Sequence, residues 1–234
     1  MSVLVSELQA PLAALLPQLH EEDTAVILTH LPRLYARLDH LKAAFSSSVQ
    51  HSVAIKSNPH PEVLREIVTR GFGLEAASIE EVRRAIEIGC PAERLVFDSP
   101  VKTRLELAEV AQHSGVLVNV NTLSELERIP ADAQCIIGIR VNPLTDTGSP
   151  ERFSVGRNES KFGVPIALRE DIIQASIHYP VRALHMHSGS QMRNLDAQRS
   201  ALHSLGELAQ QINIALESLG LQRRIEVVDI GGGL

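Results

Sequence analysis

One lysine stands where the chain could present a reactive amine. Lys56 ends the apolar run of residues 53–55 and is followed by a polar turn, Ser57-Asn58-Pro59. The run predicts a buried strand, so the amine is expected at a strand end where the chain turns. Burial disfavours the charged form, and a neutral amine can attack an aldehyde to form a Schiff base. The alternative is a lysine whose ammonium simply reaches solvent.

Two histidines and three glycines add further candidates. His185 and His187 would face the same side of a strand, and such a pair can bind a metal ion. No cysteine or acidic residue lies nearby in sequence to complete a ligand set, so no metal is predicted and a core or surface pair stays the alternative. Gly231, Gly232 and Gly233 follow another strand pattern, where backbone N–H groups can cradle a phosphate. A flexible turn fits the same glycines.

Five segments resemble the fold-type III pyridoxal-phosphate decarboxylases, which include diaminopimelate, ornithine and arginine decarboxylases. They follow one another in the family's order across roughly residues 50–234, at positions 54–58, 73–78, 140–143 with 160–163, 184–191 and 229–233. The resemblance implies that pyridoxal 5′-phosphate is the cofactor. It also implies that Lys56 is the catalytic residue and holds that cofactor as a Schiff base.

The same resemblance implies roles for other cofactor-binding residues. His187 would pack on the face of the cofactor ring, and Ser190 would bind its phosphate together with Gly231, Gly232 and Gly233. Arg140 would point into a barrel near the cofactor. The family usually has Asp where this chain has Glu75, which adds one methylene to a carboxylate near the cofactor. A strand-end Glu75 paired with Arg140 or another base is the alternative.

The implied activity is decarboxylation of an amino acid, with a diamino acid as the substrate class by family analogy. Two alternatives stay open: an amino-acid racemase of the alanine racemase type, and a relative that binds pyridoxal phosphate or a regulator without catalysis. The resemblance also implies a homodimer in the complete protein.

The elements that would position these residues alternate along the chain. Strand patterns occupy residues 52–56, 73–77, 95–98, 116–120, 135–141, 181–187 and 225–230, with helical patterns between most of them. Alternation of this kind predicts parallel βαβ units. The expected fold is α/β, a (β/α)8 TIM-type barrel like that of alanine racemase. Seven strand patterns are one short of the eight that closure requires, which predicts truncation before the last strand.

The segments outside the barrel give further expectations. Residues 1–50 predict a lead-in of helix, strand at 24–29 and a helix starting near Pro32; residues 51–234 predict the incomplete barrel. The long connection at 142–160 could close over the site as a lid. The family's C-terminal β-domain is expected to be absent, and residues 1–234 alone are expected to be inactive.

Composition limits the function classes. The chain of 234 residues is 44% hydrophobic with a net charge of −6, so it can bury a core and shows no basic footprint for nucleic acid. Two cysteines make no disulfide framework, which favours a reduced, cytoplasmic setting. No apolar run approaches the ~20 residues that span a membrane, so neither nucleic acid nor a membrane is expected as a partner.

Overall fold

The structure is a computed structural model, and it describes residues 3–144, 160–189 and 195–232, with side chains from residue 8 onward. The chain divides into two units, Met1–Ala44 and Phe45–Leu234. The predicted lid at 142–160 falls largely on residues outside this description.

The first unit contains two helices, α1 (Val3–Leu15) and α2 (Leu31–Ala44). The helix start near Pro32 is confirmed, because proline suits the first helical turn, where its missing N–H has no partner to lose. The predicted strand at 24–29 is wrong: these residues form no β-ladder, and Ile27 is 92% exposed. A β-branched run becomes a strand only where a neighbouring strand takes its backbone hydrogen bonds, and none does so within the described residues.

The second unit is built on one parallel sheet, in which all seven predicted strands are confirmed. Six of them are shorter than predicted, and the strand expected at 135–141 is shifted by one residue to Ile136–Asn142. The strands are β1 (Ser52–Ala54), β2 (Gly73–Ala76), β3 (Leu95–Phe97), β4 (Leu117–Val120), β5 (Ile136–Asn142), β6 (Val164–Pro165), β7 (Val181–His185) and β8 (Val227–Asp229). Their order is β1-β2-β3-β4-β5-β7-β8, and β6 pairs with β5 beside that path. The count of seven missed β6, because two residues are too few to show a pattern.

α-Helices join most of the successive strands and bury one face each, and a 3-10 helix (Leu123–Arg128) joins β4 to β5. The α-helices are α3 (Pro61–Thr69), α4 (Ile79–Glu87), α5 (Arg104–Ala111), α6 (Arg169–His178) and α7 (Leu195–Ser218). The start of α4 is defined by Ser78, whose hydroxyl accepts from the Glu81 N–H at 3.3 Å. The Glu81 carboxylate in turn accepts from the Ala77 N–H at 2.7 Å, so both side chains cap backbone N–H groups at this helix start.

The sheet curls into part of a TIM-type barrel of the α/β class. Across the described residues no ladder joins β1 to β8, so the sheet is open between these two strands. The inner side holds a small apolar cluster of Val96, Leu117 and Ala183. Side chains two residues further along a strand point to the same side, and at that next inward position the side chains are polar. That change places a charged layer at the carboxyl ends of the strands, where barrel enzymes hold their sites.

Candidate functional site

The inner polar layer collects side chains from six parts of the barrel. Its members are Lys56 after β1, Glu75 on β2, Asp98 after β3, Arg140 on β5, His185 and His187 on and after β7, and Asp229 on β8. Residues far apart in sequence meet here because parallel strands end at one edge of the sheet.

Lys56 lies in a short 3-10 turn (Ile55–Ser57) that follows β1. Its side chain is 62% exposed, so the expectation of a buried amine is wrong: the strand ends at Ala54 and the turn carries the lysine out of the core. Its Nζ lies 3.6 Å from Oε1 of Glu75. The partner of Glu75 is therefore Lys56 rather than Arg140. Burial raises the pKa of Glu75, although Lys56 opposes the shift.

Arg140 is buried and pairs with an acid that sequence reasoning missed. Its Nη1 donates to Oδ2 of Asp98 at 2.9 Å, and its guanidinium lies 4.8 Å from the centroid of the Phe162 ring. Burial would raise the pKa of the Asp98 carboxyl, but His185 and Arg140 together hold it well below its usual range. A guanidinium therefore sits at a fixed place at the end of β5, with Asp98 as its charge partner.

His185 bridges two carboxylates across three strands. Its Nε2 lies 3.2 Å from Oδ2 of Asp98, and its Nδ1 lies 2.9 Å from Oδ2 of Asp229. Burial by itself would lower the pKa of His185, but Asp229 and Asp98 raise it to about 10. The alternation of side chains along the strand could have identified His185 as inward-facing. Nothing in the sequence near His185 indicated its two acidic partners.

His187 lies beyond the strand end, against the glycine turn. Its Nδ1 accepts a hydrogen bond from the Gly232 N–H at 3.3 Å, so that nitrogen carries no proton. Burial, followed by the charges of Arg140, His185 and Lys56, lowers the pKa of His187 to about 4. The ring is therefore neutral near pH 7, and its flat face can lie against another flat ring.

The glycine segment after β8 makes a tight turn. Gly231 has a φ of +67°, a conformation that glycine adopts without strain. A Cβ on Gly231 would come 2.4 Å from the Met186 carbonyl oxygen, whereas one on Gly232 would meet nothing within 4 Å. The Gly231 N–H donates to Oδ1 of Asp229 at 2.9 Å. Gly231 thus shapes the turn, and the open side of the turn lies at Gly232.

Two predicted site residues, Ser190 and Gly233, lie outside the described residues. Their joint role with Gly231 and Gly232 in holding an anion stays a prediction. The N–H groups of Gly231 and Gly232 both donate to side chains, so an anion at this turn would compete with His187 for the long bond from Gly232.

The fold brings two acidic side chains to His185. No acid is near His185 in sequence, but Asp98 and Asp229 are near it in space. Even so, within residues 3–144, 160–189 and 195–232 no group of three or more His, Cys, Asp or Glu side chains is arranged to hold a metal. Those acids contact the imidazole itself.

A second buried polar cluster lies beside the layer. Lys102 donates to Oε1 of Glu125 at 3.2 Å and to the Ser99 carbonyl at 2.8 Å. The other oxygen of Glu125 accepts from the Asn121 N–H at 2.6 Å.

The Asn121 side chain donates to the Lys161 carbonyl at 3.0 Å and accepts from the Gly163 N–H at 2.9 Å. This cluster holds the segment that carries Phe162 over Arg140.

The arrangement fits a flat cofactor that bears an aldehyde and a phosphate. Lys56 offers an exposed amine beside a carboxylate, His187 offers a neutral ring, and the turn at Gly232 leaves open the space that a side chain would fill. These residues could therefore hold pyridoxal 5′-phosphate, through its aldehyde at Lys56 and its phosphate near the glycines.

Comparison with known proteins gives one family. The profile described as "Pyridoxal-dependent decarboxylase, pyridoxal binding domain" matches residues 31–234. The chain is 30% identical to diaminopimelate decarboxylase of Archaeoglobus fulgidus over 92% of this chain and 51% of that protein. It is 28% identical to the Campylobacter jejuni diaminopimelate decarboxylase over 93% of this chain and 55% of that protein.

Solved structures give the same fold. Diaminopimelate decarboxylase of Helicobacter pylori, complexed with L-lysine, is 25% identical with a TM-score of 0.82, over 95% of this chain and 57% of that one. The lysine/ornithine decarboxylase of Vibrio vulnificus, complexed with cadaverine, is 22% identical with a TM-score of 0.74, over 100% of this chain and 58% of that one. The chain spans about half the length of the curated relatives it matches. Among its described helices, none has the length and apolarity to cross a membrane.

Proposed function

We infer the function from the premise that this chain belongs to the pyridoxal-dependent decarboxylase family, whose pyridoxal-binding domain it carries. Its cofactor is pyridoxal 5′-phosphate. We propose that the whole protein decarboxylates an amino acid, and that the substrate is a diamino acid, as the names of its relatives suggest. The observation that carries the proposal is the exposed amine of Lys56, 3.6 Å from Glu75 at the ends of the barrel strands.

When bound, pyridoxal phosphate supplies an electron sink that accepts the pair left as the α-carboxylate departs as carbon dioxide. Lys56 would hold the aldehyde carbon of the cofactor through Nζ. Glu75 lies close enough to Nζ for a small side-chain movement to bring its carboxylate within proton-transfer reach. Because the pKa of Glu75 is raised, part of this carboxyl stays protonated at a pH closer to neutral, where it can return a proton.

The remaining side chains would bind and orient. His187 has a neutral ring whose free face can lie against the cofactor ring without adding a charge there. Arg140 is held by Asp98 and by the Phe162 ring, so its guanidinium would keep a fixed place at the end of β5 and orient the groups around it.

The test of Lys56 is borohydride reduction of the cofactor-loaded protein followed by peptide mass spectrometry. The chain has four lysines, Lys42, Lys56, Lys102 and Lys161, so the adduct can be assigned without ambiguity. We expect the adduct on Lys56 and its loss in Lys56→Ala. Lys42→Ala is the matched control, because that lysine is exposed on α2. An adduct that persists on another lysine in Lys56→Ala would show that the assignment is wrong.

The reaction type is tested separately with a panel of diamino and monoamino acids. Carbon dioxide release from one of them supports decarboxylation, whereas inversion of the α-carbon without carbon dioxide would indicate a racemase, and neither would indicate a protein that only binds the cofactor. Homodimer formation by the complete protein stays a prediction, as does inactivity of residues 1–234 alone.

A further inference from the structure

The two carboxylates beside His185 favour the charged form of its ring. A neutral imidazole donates from only one nitrogen, yet both ring nitrogens of His185 lie within 3.2 Å of carboxylate oxygens. Both acids are also acceptors elsewhere, since Asp98 accepts from Arg140 and Asp229 accepts from the Gly231 N–H. Both acids therefore act as ionised acceptors. Their contacts with His185 are both favourable only if His185 is an imidazolium.

The surroundings of His185 supply the charge balance for a buried cation. The titratable groups around it are Asp98 and Asp229, which contact it, Glu75 and His187, which interact with its charge, and Arg140, its register neighbour on β5; Lys56 lies beyond Glu75. An isolated buried charge is costly, but two carboxylates in contact offset that cost. The side chain is 5% exposed, so water contributes little to this balance.

The contacts continue from His185 into the glycine turn. Asp229 binds His185 through one carboxylate oxygen and the Gly231 N–H through the other, at 2.9 Å each. Gly231 then turns the chain so that the next N–H, that of Gly232, faces His187. The direction of the Gly232 N–H thus depends on a carboxylate that His185 holds in place.

We propose that His185 is a positioning residue: as an imidazolium held between Asp98 and Asp229, it fixes the turn at Gly231 in the shape that receives the cofactor phosphate. That the group received by this turn is the cofactor phosphate rests on the proposed function. The charge of His185 and its hold on Asp229 rest on contacts within this chain. His185 would affect phosphate affinity without touching the phosphate.

The first test measures the ring directly, without cofactor. In protein labelled with ¹⁵N-histidine, nitrogen NMR at about pH 8, well above the ordinary pKa of histidine, should show both His185 nitrogens protonated. The same spectrum should show His187 neutral, with the proton on Nε2. A neutral His185 ring under these conditions would overturn the proposal, whatever the protein binds.

The second test compares binding of pyridoxal 5′-phosphate with binding of pyridoxal, which lacks the phosphate. His185→Gln should weaken binding of the phosphate form about tenfold to a hundredfold, the effect of losing a close contact with a charged group, and leave pyridoxal binding nearly unchanged. His203→Gln is the matched control, because His203 also contacts a carboxylate, that of Glu207 at 3.2 Å, but on an exposed helix face. It should change neither affinity.

These outcomes distinguish failure of the positioning role of His185 from failure of the proposed phosphate site. An equal loss of both ligands in His185→Gln, or no loss, would overturn the positioning role. If the unmodified protein binds the two ligands equally, the phosphate site in the proposed function is wrong and the positioning role falls with it. The ring protonation would still report, independently, whether the charged bridge between Asp98 and Asp229 exists. If His185→Gln does not fold, Asp98→Asn replaces it, with the same selective loss of phosphate binding expected and the same equal loss contradicting it.

Discussion

Replacement of Gly231 by alanine should open the turn next to β8. At a φ of +67° an alanine costs about 1–2 kcal/mol more than glycine. Its Cβ would also come 2.4 Å from the Met186 carbonyl oxygen and 3.0 Å from the His187 Nδ1. Relieving that overlap costs about 1–3 kcal/mol more, because backbone is the obstacle. The expected destabilisation of the turn is the sum, about 2–5 kcal/mol.

Hydrogen exchange of the cofactor-free protein measures this loss locally. The Met186 N–H donates to the Asp229 carbonyl at 2.9 Å, so it is freed when the last strand detaches. A loss of about 2 kcal/mol corresponds to ~30-fold faster exchange, and larger losses raise the rate until the strand's own stability is exhausted. The peptide that contains Met186 should therefore exchange at least ~30-fold faster in Gly231→Ala, by the same conversion.

Gly232→Ala is the matched control in the same turn. A Cβ there meets nothing within 4 Å. The free energy of the opening that lets the Met186 N–H exchange should therefore change by no more than about 0.5 kcal/mol. Unchanged exchange in Gly231→Ala, or an equal acceleration in both variants, would refute the reasoning. Gly232→Val should instead weaken pyridoxal 5′-phosphate binding while exchange stays normal, since its side chain would fill the open side of the turn.

Two further predictions concern buried charge. Lys102→Met leaves the Glu125 carboxylate buried without its cation, so it should lower the free energy of unfolding, measured in urea, by about 3–5 kcal/mol. The double variant Lys102→Met/Glu125→Leu should regain most of that loss. A double variant no more stable than the single one would contradict this prediction. His187 has its pKa lowered from 6.5 to about 4 in the folded state, so the unfolded chain takes up the proton first and stability should fall as pH drops from about 6.5 to about 4. His187→Phe should flatten that part of a melting-temperature profile, and an unchanged slope would count against a buried neutral ring.

Local signals in the sequence were enough for the elements and for several candidate residues. Apolar runs marked all seven main strands, and Pro32 marked a helix start, because strand burial and the start of a helix depend on residues within a few positions. The same reasoning failed at 24–29, where the run was apolar but no partner strand was present. It also misjudged Lys56, since the end of β1 two residues earlier decides whether that side chain is buried.

The sequence by itself determined the barrel class and indicated that Lys56, Glu75, Arg140 and His187 lie on or just after its strands. Only the tertiary structure decided which charges meet. Asp98 is 42 residues from Arg140, and it contacts both Arg140 and His185 because the register of β3, β5 and β7 brings those strand ends to one level. Such pairing is set by the packing of the whole sheet, and a carboxylate cannot show in its own neighbourhood of sequence which cation it will neutralise.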